Sequence, residues 1–349
     1  MLIIGTGTCR GWRKGPDSGG WSPRGRGRSS APFEPSISGC LTEDLGSWDM
    51  SPTGSPSYPT PLQVRGRATN RAPEINLSGQ ALYVPGMPGP TERYGRFAKY
   101  YDFIYENLVD YAADVRYLEA IFRRFLPQKP RKILDLGSGT GNHDLPLARR
   151  GYQVTALDLS RPQLAVARRK AREAGLRIRF VRGDMRAFDL PASFDAAICM
   201  FGAFGYLLKS TDVVRCLRSV RRHLGPLGIF AFEFWQRSAV RPSPYQSWFH
   251  KVGREFELVR LSEARLDERT KVLAVEFRFF VFRGRRVLDR FDETHKVRTY
   301  TVPEMQNLLR QGGFELVRAF GAANGTKKGF GPVRRNTFRV FAVCRPVRS

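Results

Sequence analysis

"ILDLGSGTGNHDLPLA", residues 133–148, decides the fold. A short strand-like run reaches three glycines at alternate positions, Gly137, Gly139 and Gly141, and the turn opens into a helical pattern. Glycine takes left-handed backbone without strain and lets a ligand approach the main chain. Strand, glycine turn and helix N-terminus, in that order, make a ligand seat at the carboxyl edge of a parallel sheet. The fingerprint of a dinucleotide site is GxGxxG, and its third position here is Asn142. That spacing disfavours a pyrophosphate cradle.

Outward from the turn the chain alternates. "KILDL", "QVTALDL", "IRFVRGD", "DAAICMF" and "GIFAFEFW" read as strands, separated by "DLPLARR", "SRPQLAVARRKAREAG" and "STDVVRCLRSVRRHL" as helices. Ser160 is a good N-cap for the second helix and Gly175 a good stop. Five strands alternating with helices predict an open parallel α/β sheet, doubly wound. Two helices precede it in residues 91–126. After it the period changes. Three long β-like runs fill residues 254–300, with Gly284 at the turn between the last two, inside an antiparallel insertion placed at 236–300. A helix "VPEMQNLLRQGG" and strands "FELVRAFG" and "NTFRVFAVCR" close the chain.

Residues 1–90 hold 15 Gly and 12 Pro and no lasting amphipathic period, so they are expected to be a disordered extension outside a domain at 91–349. Met87 stands just before the first helical pattern, as a start codon would. No apolar run reaches the ~18–20 residues that span a bilayer, and "MLIIG" is too short for a signal peptide, so a cytoplasmic protein without membrane contact is expected. Five cysteines lack metal or disulfide spacing; Cys199 and Cys216 read as reduced core residues, and no metal site is expected. The net charge is +26, carried by 47 arginines against 11 lysines. A basic surface of amphipathic helices accounts for it; a polyanionic partner is the less favoured alternative.

Three acids fall at the ends of successive strands: Asp135, Asp158 and Asp184. Asp158 stands where a carboxylate would accept from a ribose diol, and Asp184, followed by Met185, where one would accept from an adenine amino group. Such a rim suits a cationic ligand without phosphate. With "LDLGSGTG", "VTALDLS", "VRGDMRAF" and "FDAAICMFGAFGYL" in order, residues 92–349 resemble the class I S-adenosylmethionine-dependent methyltransferases. The resemblance implies an open, mostly parallel, seven-stranded Rossmann-like sheet with the antiparallel insertion after its fifth strand. It implies S-adenosyl-L-methionine as cofactor, with Gly137, Ser138 and Gly139 along the methionine part. Asp158 and Leu159 would lie at the ribose, Asp184 and Met185 at adenine, and Met200 also against the cofactor.

The stretch after the fourth strand lacks the Pro-Pro motif of enzymes that methylate base amino groups. "CMFGAFGYL" and "ETHKVRTYT" are similar instead to the amino-sugar N,N-dimethyltransferases, which implies a small-molecule acceptor, an amine nitrogen. Tyr100, Tyr101, Tyr105 and Tyr111 lie on the N-terminal helices, and Tyr101 matches the subgroup's "YDF" tyrosine. Strand alternation puts Phe291, Glu293, His295 and Val297 on one inward face. His295 is the expected base, with Glu293 orienting it; Tyr206 is a candidate acceptor contact, and His143 either approaches the methionine end or caps the next helix. The alternatives are an RNA methyltransferase using the basic surface, a non-catalytic cofactor-binding protein and, least favoured, a nicotinamide oxidoreductase. A chain beginning at Met87 should fold with the Tm of the full chain, as scanning calorimetry would show; failure to fold would place residues 1–86 in the folded unit.

Overall fold

The computed structural model describes residues 94–322 and 331–347, so the expectations for residues 1–90 and Met87 lie outside it. The strands next to the glycine turn form the centre of a sheet. They are β1 (Lys132–Leu136), β2 (Gln153–Asp158), β3 (Arg179–Arg182), β4 (Phe194–Cys199) and β5 (Leu224–Trp235). These pair in parallel; β11 (Arg339–Pro346) adds antiparallel to β5, and β10 (Phe314–Ala322) pairs antiparallel with β11 at the edge. The order is β10-β11-β5-β4-β1-β2-β3, seven strands as the resemblance implied. The order reverses at β1, so the carboxyl ends of β1, β2 and β4 open onto a crevice at the switch point.

Both faces of this sheet are covered, which is why its central strands read as continuous apolar runs. Val115, Leu118, Ile121 and Phe122 of α2 (Tyr111–Phe125) and Leu147 of α3 (Asp144–Arg149) pack on Ile133, Ile198 and Ala231. On the other face α5 (Ser210–His223) and α6 (Val302–Gln311) bury Val213, Leu217, Met305 and Leu309 against Leu134, Phe230 and Phe232. Ser160 caps α4 (Arg161–Glu173) by accepting from the Gln163 amide, and Thr301 with Glu304 forms a capping box on α6. Cys199, Cys216 and Cys344 are buried free thiols. No helix among the described residues is long and apolar enough to cross a membrane.

The insertion is a four-stranded antiparallel sheet, β6 (Tyr245–Val252), β7 (Glu257–Asp267), β8 (Val272–Arg283) and β9 (Arg286–Arg298). Three runs were expected; β6 is the fourth. Its alternating "YQSWFHKV" follows closely on the Pro-rich "RPSP", which masks the period at sequence level. Gly284 makes the β8–β9 turn at φ 57°. A second core lies on the inward face of this sheet. Helix α1 (Phe97–Tyr105) lays Phe97, Tyr100, Ile104 and Tyr105 against Phe277, Phe279 and Phe291. The Phe279 and Phe291 rings stack at 4.6 Å and Phe97 meets Phe279 at 5.2 Å.

Arg260 on β7 is the anomaly of that core. Its guanidinium is sandwiched by Phe249 at 5.3 Å and Phe277 at 5.1 Å and is hydrogen-bonded to the Tyr105 phenol. It is 3% exposed, and its Nε and Nη1 have no acceptor among the described residues. Burial pulls its pKa down. An uncompensated buried cation costs several kcal/mol, beyond what two ring faces return. Arg260→Met keeps the apolar stem and removes the charge. We expect chemical denaturation to show a gain of about 1 kcal/mol or more; a loss would mean that the two rings and the phenol compensate the cation.

Candidate functional site

The turn after β1 is built by backbone that only glycine takes comfortably. Gly137, Gly139 and Gly141 have φ of 71°, 59° and 80°. The Gly137 amide donates to the Leu157 carbonyl at 2.8 Å, and a Cβ on Gly137 would lie 2.6 Å from the Ala203 Cβ. The loop is thus pinned between the end of β2 and the short 3-10 turn Ala203–Tyr206 that follows β4. On its far side that turn meets β9: a Cβ on Gly205 would come within 2.3 Å of Val297 Cγ1. Two close glycine contacts therefore bring β1, β4 and β9 around one space.

That space is a cavity of about 520 Å³. Gly137, Ser138, Gly139, Asp158, Leu159, Asp184, Met185 and Met200 line one half of it, and Tyr101, Tyr206 and His295 line the other. Tyr105 and Tyr111 also reach it. Tyr100 points the other way, its phenol donating to Asp289 on β9 at 3.2 Å. His143 lines the cavity at the N-cap position of α3 but makes no side-chain cap bond; its Nε2 meets Asp114 of α2 at 3.3 Å. Asp184 lies two residues past β3 rather than at its end.

In the first half Asp158 accepts from the Gly139 amide at 2.8 Å and the Ser160 amide at 2.7 Å, and burial pushes its pKa up. Asp184 accepts from Arg186 at both oxygens, from Nε at 3.0 Å on Oδ1 and from Nη2 at 2.5 Å on Oδ2. Burial raises the Asp184 carboxyl and the Arg186 hydrogen bonds lower it further, leaving it below the usual range. Three buried polar atoms on this lining have no partner among the described residues: Asp135 Oδ1, Ser138 Oγ and Gln163 Oε1. Orphaned buried polar atoms call for a ligand. A carboxylate suits an ammonium group, a hydroxyl and an amide suit further polar atoms of a nucleoside-like molecule, and the glycine turn leaves room for its chain. The donor set fits S-adenosylmethionine.

The second half is aromatic. Tyr206 Oη hydrogen-bonds His295 Nδ1 at 2.8 Å and also the Tyr94 phenol, so Tyr94, Tyr206 and His295 form one chain. Glu293, expected to orient His295, is half-buried two residues away on the same face of β9; the bond at Nδ1 comes from Tyr206. Burial pushes the Tyr94 and Tyr101 phenols well above their ordinary pKa, so both stay neutral. Sequence reading missed Tyr94, Phe201 and Trp235, which line the cavity. Tyr94 precedes the helix at φ 69°; its only signal is the spacing Tyr94, Phe97, Tyr101, a helical stripe. Phe201 takes φ 55°, its amide donating to Glu233 at 3.1 Å, and Glu233 in turn receives a bidentate Arg339 at 2.6 and 2.8 Å. That pair joins β5 to β11 and is invisible before the strands are placed.

Beneath the glycine loop Asp135 and Asp144, at 1% and 0% exposure, form one buried acidic pair. Burial and the mutual repulsion raise Asp135 well above the ordinary 3.8; burial raises Asp144 to about 7, with Asp158 adding to the shift and His143 and Lys170 opposing it. A carboxyl raised on folding binds a proton that the unfolded chain releases. Its stabilising share is full below the unfolded pKa and is lost as pH rises through about 7. The Tm of the wild type relative to Asp144→Asn should therefore fall between about pH 5 and about pH 8; a pH-independent difference in calorimetry would refute the shared proton.

Comparison with known proteins follows the same lines. A family model described as "Methyltransferase domain" matches residues 133–228. The methyltransferase-like protein YqeM of Bacillus subtilis (strain 168) is 34% identical over 228 residues, 64% of this chain and 87% of that one. The dTDP-3-amino-3,6-dideoxy-alpha-D-glucopyranose N,N-dimethyltransferase of Streptomyces fradiae is 29% identical over 241 residues, 68% of this chain and 91% of that one. Among solved structures, an S-adenosylmethionine-dependent methyltransferase from Clostridium acetobutylicum ATCC 824 superposes with a TM-score of 0.62 at 24% identity, covering 73% of this chain and 99% of that one.

Proposed function

The chain belongs to the S-adenosylmethionine-dependent methyltransferases, and we propose that it methylates an amine nitrogen of a small molecule. The observation that carries this reading is the single cavity with two unlike halves, an acidic glycine-lined half and an aromatic half that ends on the Tyr206–His295 hydrogen bond. The name of the Streptomyces fradiae relative, an amino-sugar N,N-dimethyltransferase, supports an amine.

In this reading Gly137, Ser138 and Gly139 hold the methionine part, with Asp135 facing its ammonium group. Asp158 takes the ribose hydroxyls, and Asp184, Met185, Leu159 and Met200 enclose the rest. When bound, the cofactor supplies a sulfonium methyl that is already electrophilic. The protein's tasks are alignment and proton removal. An amine attacks only when uncharged, so a base must accept a proton from it. With the His295 proton on Nε2, Nδ1 accepts from Tyr206, and the Tyr206 oxygen accepts from Tyr94. A proton given to Tyr206 Oη by the acceptor nitrogen is matched by one passed from Tyr206 to His295 Nδ1. Tyr101 and Phe97 close the wall beside them. Their ring faces would favour the positive charge that passes from the sulfonium to the attacking nitrogen during transfer.

A second reading has its own observation. Arg218, Arg221, Arg222 and Arg310 line a surface groove at the ends of α5 and α6, a fit for a polyanion such as RNA. S-Adenosylhomocysteine release is therefore to be measured against a panel of amines, amino sugars, catechols and tRNA. Turnover with an amine is expected. Turnover with tRNA alone, lost steeply between low and moderate salt, would select the RNA reading. His295→Ala should lower kcat about 100-fold or more with the Kd for S-adenosylhomocysteine within a few-fold of wild type, the signature of a lost general base. Undiminished kcat would remove His295 from the mechanism.

A further inference from the structure

Asn142 stands where the dinucleotide fingerprint has its third glycine, and nothing in the cofactor reading requires an asparagine there. It lies on the cavity lining, and its side chain reaches α1. Asn142 Nδ2 donates to Asp102 Oδ1 at 2.8 Å, and Thr140 Oγ1, from the same loop, donates to that oxygen at 2.6 Å. Lys170 of α4 completes the cluster, donating to Asp102 Oδ2 at 2.8 Å and to Asn142 Oδ1 at 2.5 Å. One carboxylate thus accepts three hydrogen bonds, one of them from a cation, and Thr140 is 1% exposed. Charge-assisted bonds of this kind are the strong ones.

The helix that carries Asp102 has two faces with different attachments. Phe97, Tyr100 and Tyr105 fasten it to the insertion sheet, and Lys251 of β6 donates to the Phe103 carbonyl and to Glu106 at the helix end. Phe97, Tyr101 and Tyr105 wall the aromatic half of the cavity. Asp102 ties that same helix to the loop lining the other half. We propose that Asp102 is a positioning residue, a latch from α1 to Thr140 and Asn142. Through it, ordering of the glycine loop around the cofactor sets the acceptor wall, and the wall in turn holds the cofactor in. The inference rests on the glycine loop being the cofactor's seat.

The test is S-adenosylhomocysteine binding to the full chain by calorimetry, with amide exchange of residues 97–105 in the complex. Asp102→Ala should raise Kd at least about tenfold, the effect of one lost charge-assisted bond. It should also bring α1 exchange in the complex up to that of the free protein and raise the KM for the cofactor more than it lowers kcat. Asp102→Asn, which keeps the acceptor oxygen and loses the ion pair with Lys170, should fall between, and it serves if the alanine variant does not fold. Adding Asn142→Ala to Asp102→Ala should cost less than Asn142→Ala costs alone, because the two share one contact. Glu106→Gln, which loosens the helix from β6 only, should leave Kd unchanged. Wild-type Kd in Asp102→Ala, additive effects in the double variant, or an equal loss in Glu106→Gln would each overturn the latch. A wild type that does not bind S-adenosylhomocysteine would overturn the cofactor reading, and the latch with it.

Discussion

The hydrogen bond from the Gly137 amide to the Leu157 carbonyl ties the first strand's exit to the second strand's end, and the site is arranged around it. It forms only if the chain leaves β1 in a left-handed turn, with no side chain between the turn and Ala203. Once it forms, the parallel register puts Asp135 beside Ala156 and Asp158 beside Arg182, so that three acids converge on one edge of the sheet. A side chain at Gly137 would push the loop off the β4 exit and separate Met185 from Ala203, both of which it touches. The acids would remain, without a common cavity. A local backbone constraint, rather than any charged residue, therefore brings the chemistry together.

The sheet and the acidic half of the cavity were legible because their signals are local. Period, caps and glycine spacing all lie within a few residues, and α/β alternation leaves few topologies once the strands are placed. The aromatic half was only partly legible. His295 could be set on the inward face of its strand by alternation, yet its partner Tyr206 lies 89 positions away and meets it because Gly205 admits Val297. Tyr94 was missed because it precedes the helix whose stripe it extends. Arg339 and Glu233, 106 residues apart, pair only once β11 has paired with β5. Partners fixed by tertiary register leave no mark in sequence spacing.

The acids on the cavity floor are not equivalent, although the sequence presents them alike. Asp184 has its own arginine, and Asp158 has backbone amides at both oxygens. Asp135 has neither, and shares its burial with Asp144. Amides at a helix start and a guanidinium support a carboxylate as a charge; a second buried carboxyl does the reverse. The strand-end position thus says little about how an acid behaves. Burial pushes all three up, and what distinguishes them is the neighbour supplied by the following loop: Ser160 after β2, Arg186 after β3 and Asp144 after β1.

The same division orders the whole protein. One core, around the parallel sheet, makes the glycine-lined half of the cavity; the other, between α1 and the insertion sheet, makes the aromatic half. Two separately packed cores could drift relative to each other, and methyl transfer tolerates little misalignment of donor and acceptor. The contacts between them are accordingly short and specific. Gly205 packs on Val297, Tyr105 meets Phe201 edge-on at 5.4 Å, and Asp102 reaches the glycine loop. The first two are shape contacts that fix distance. The third is polar and ends on the glycine loop, so of the three it is the junction tied to the glycine-lined half of the cavity.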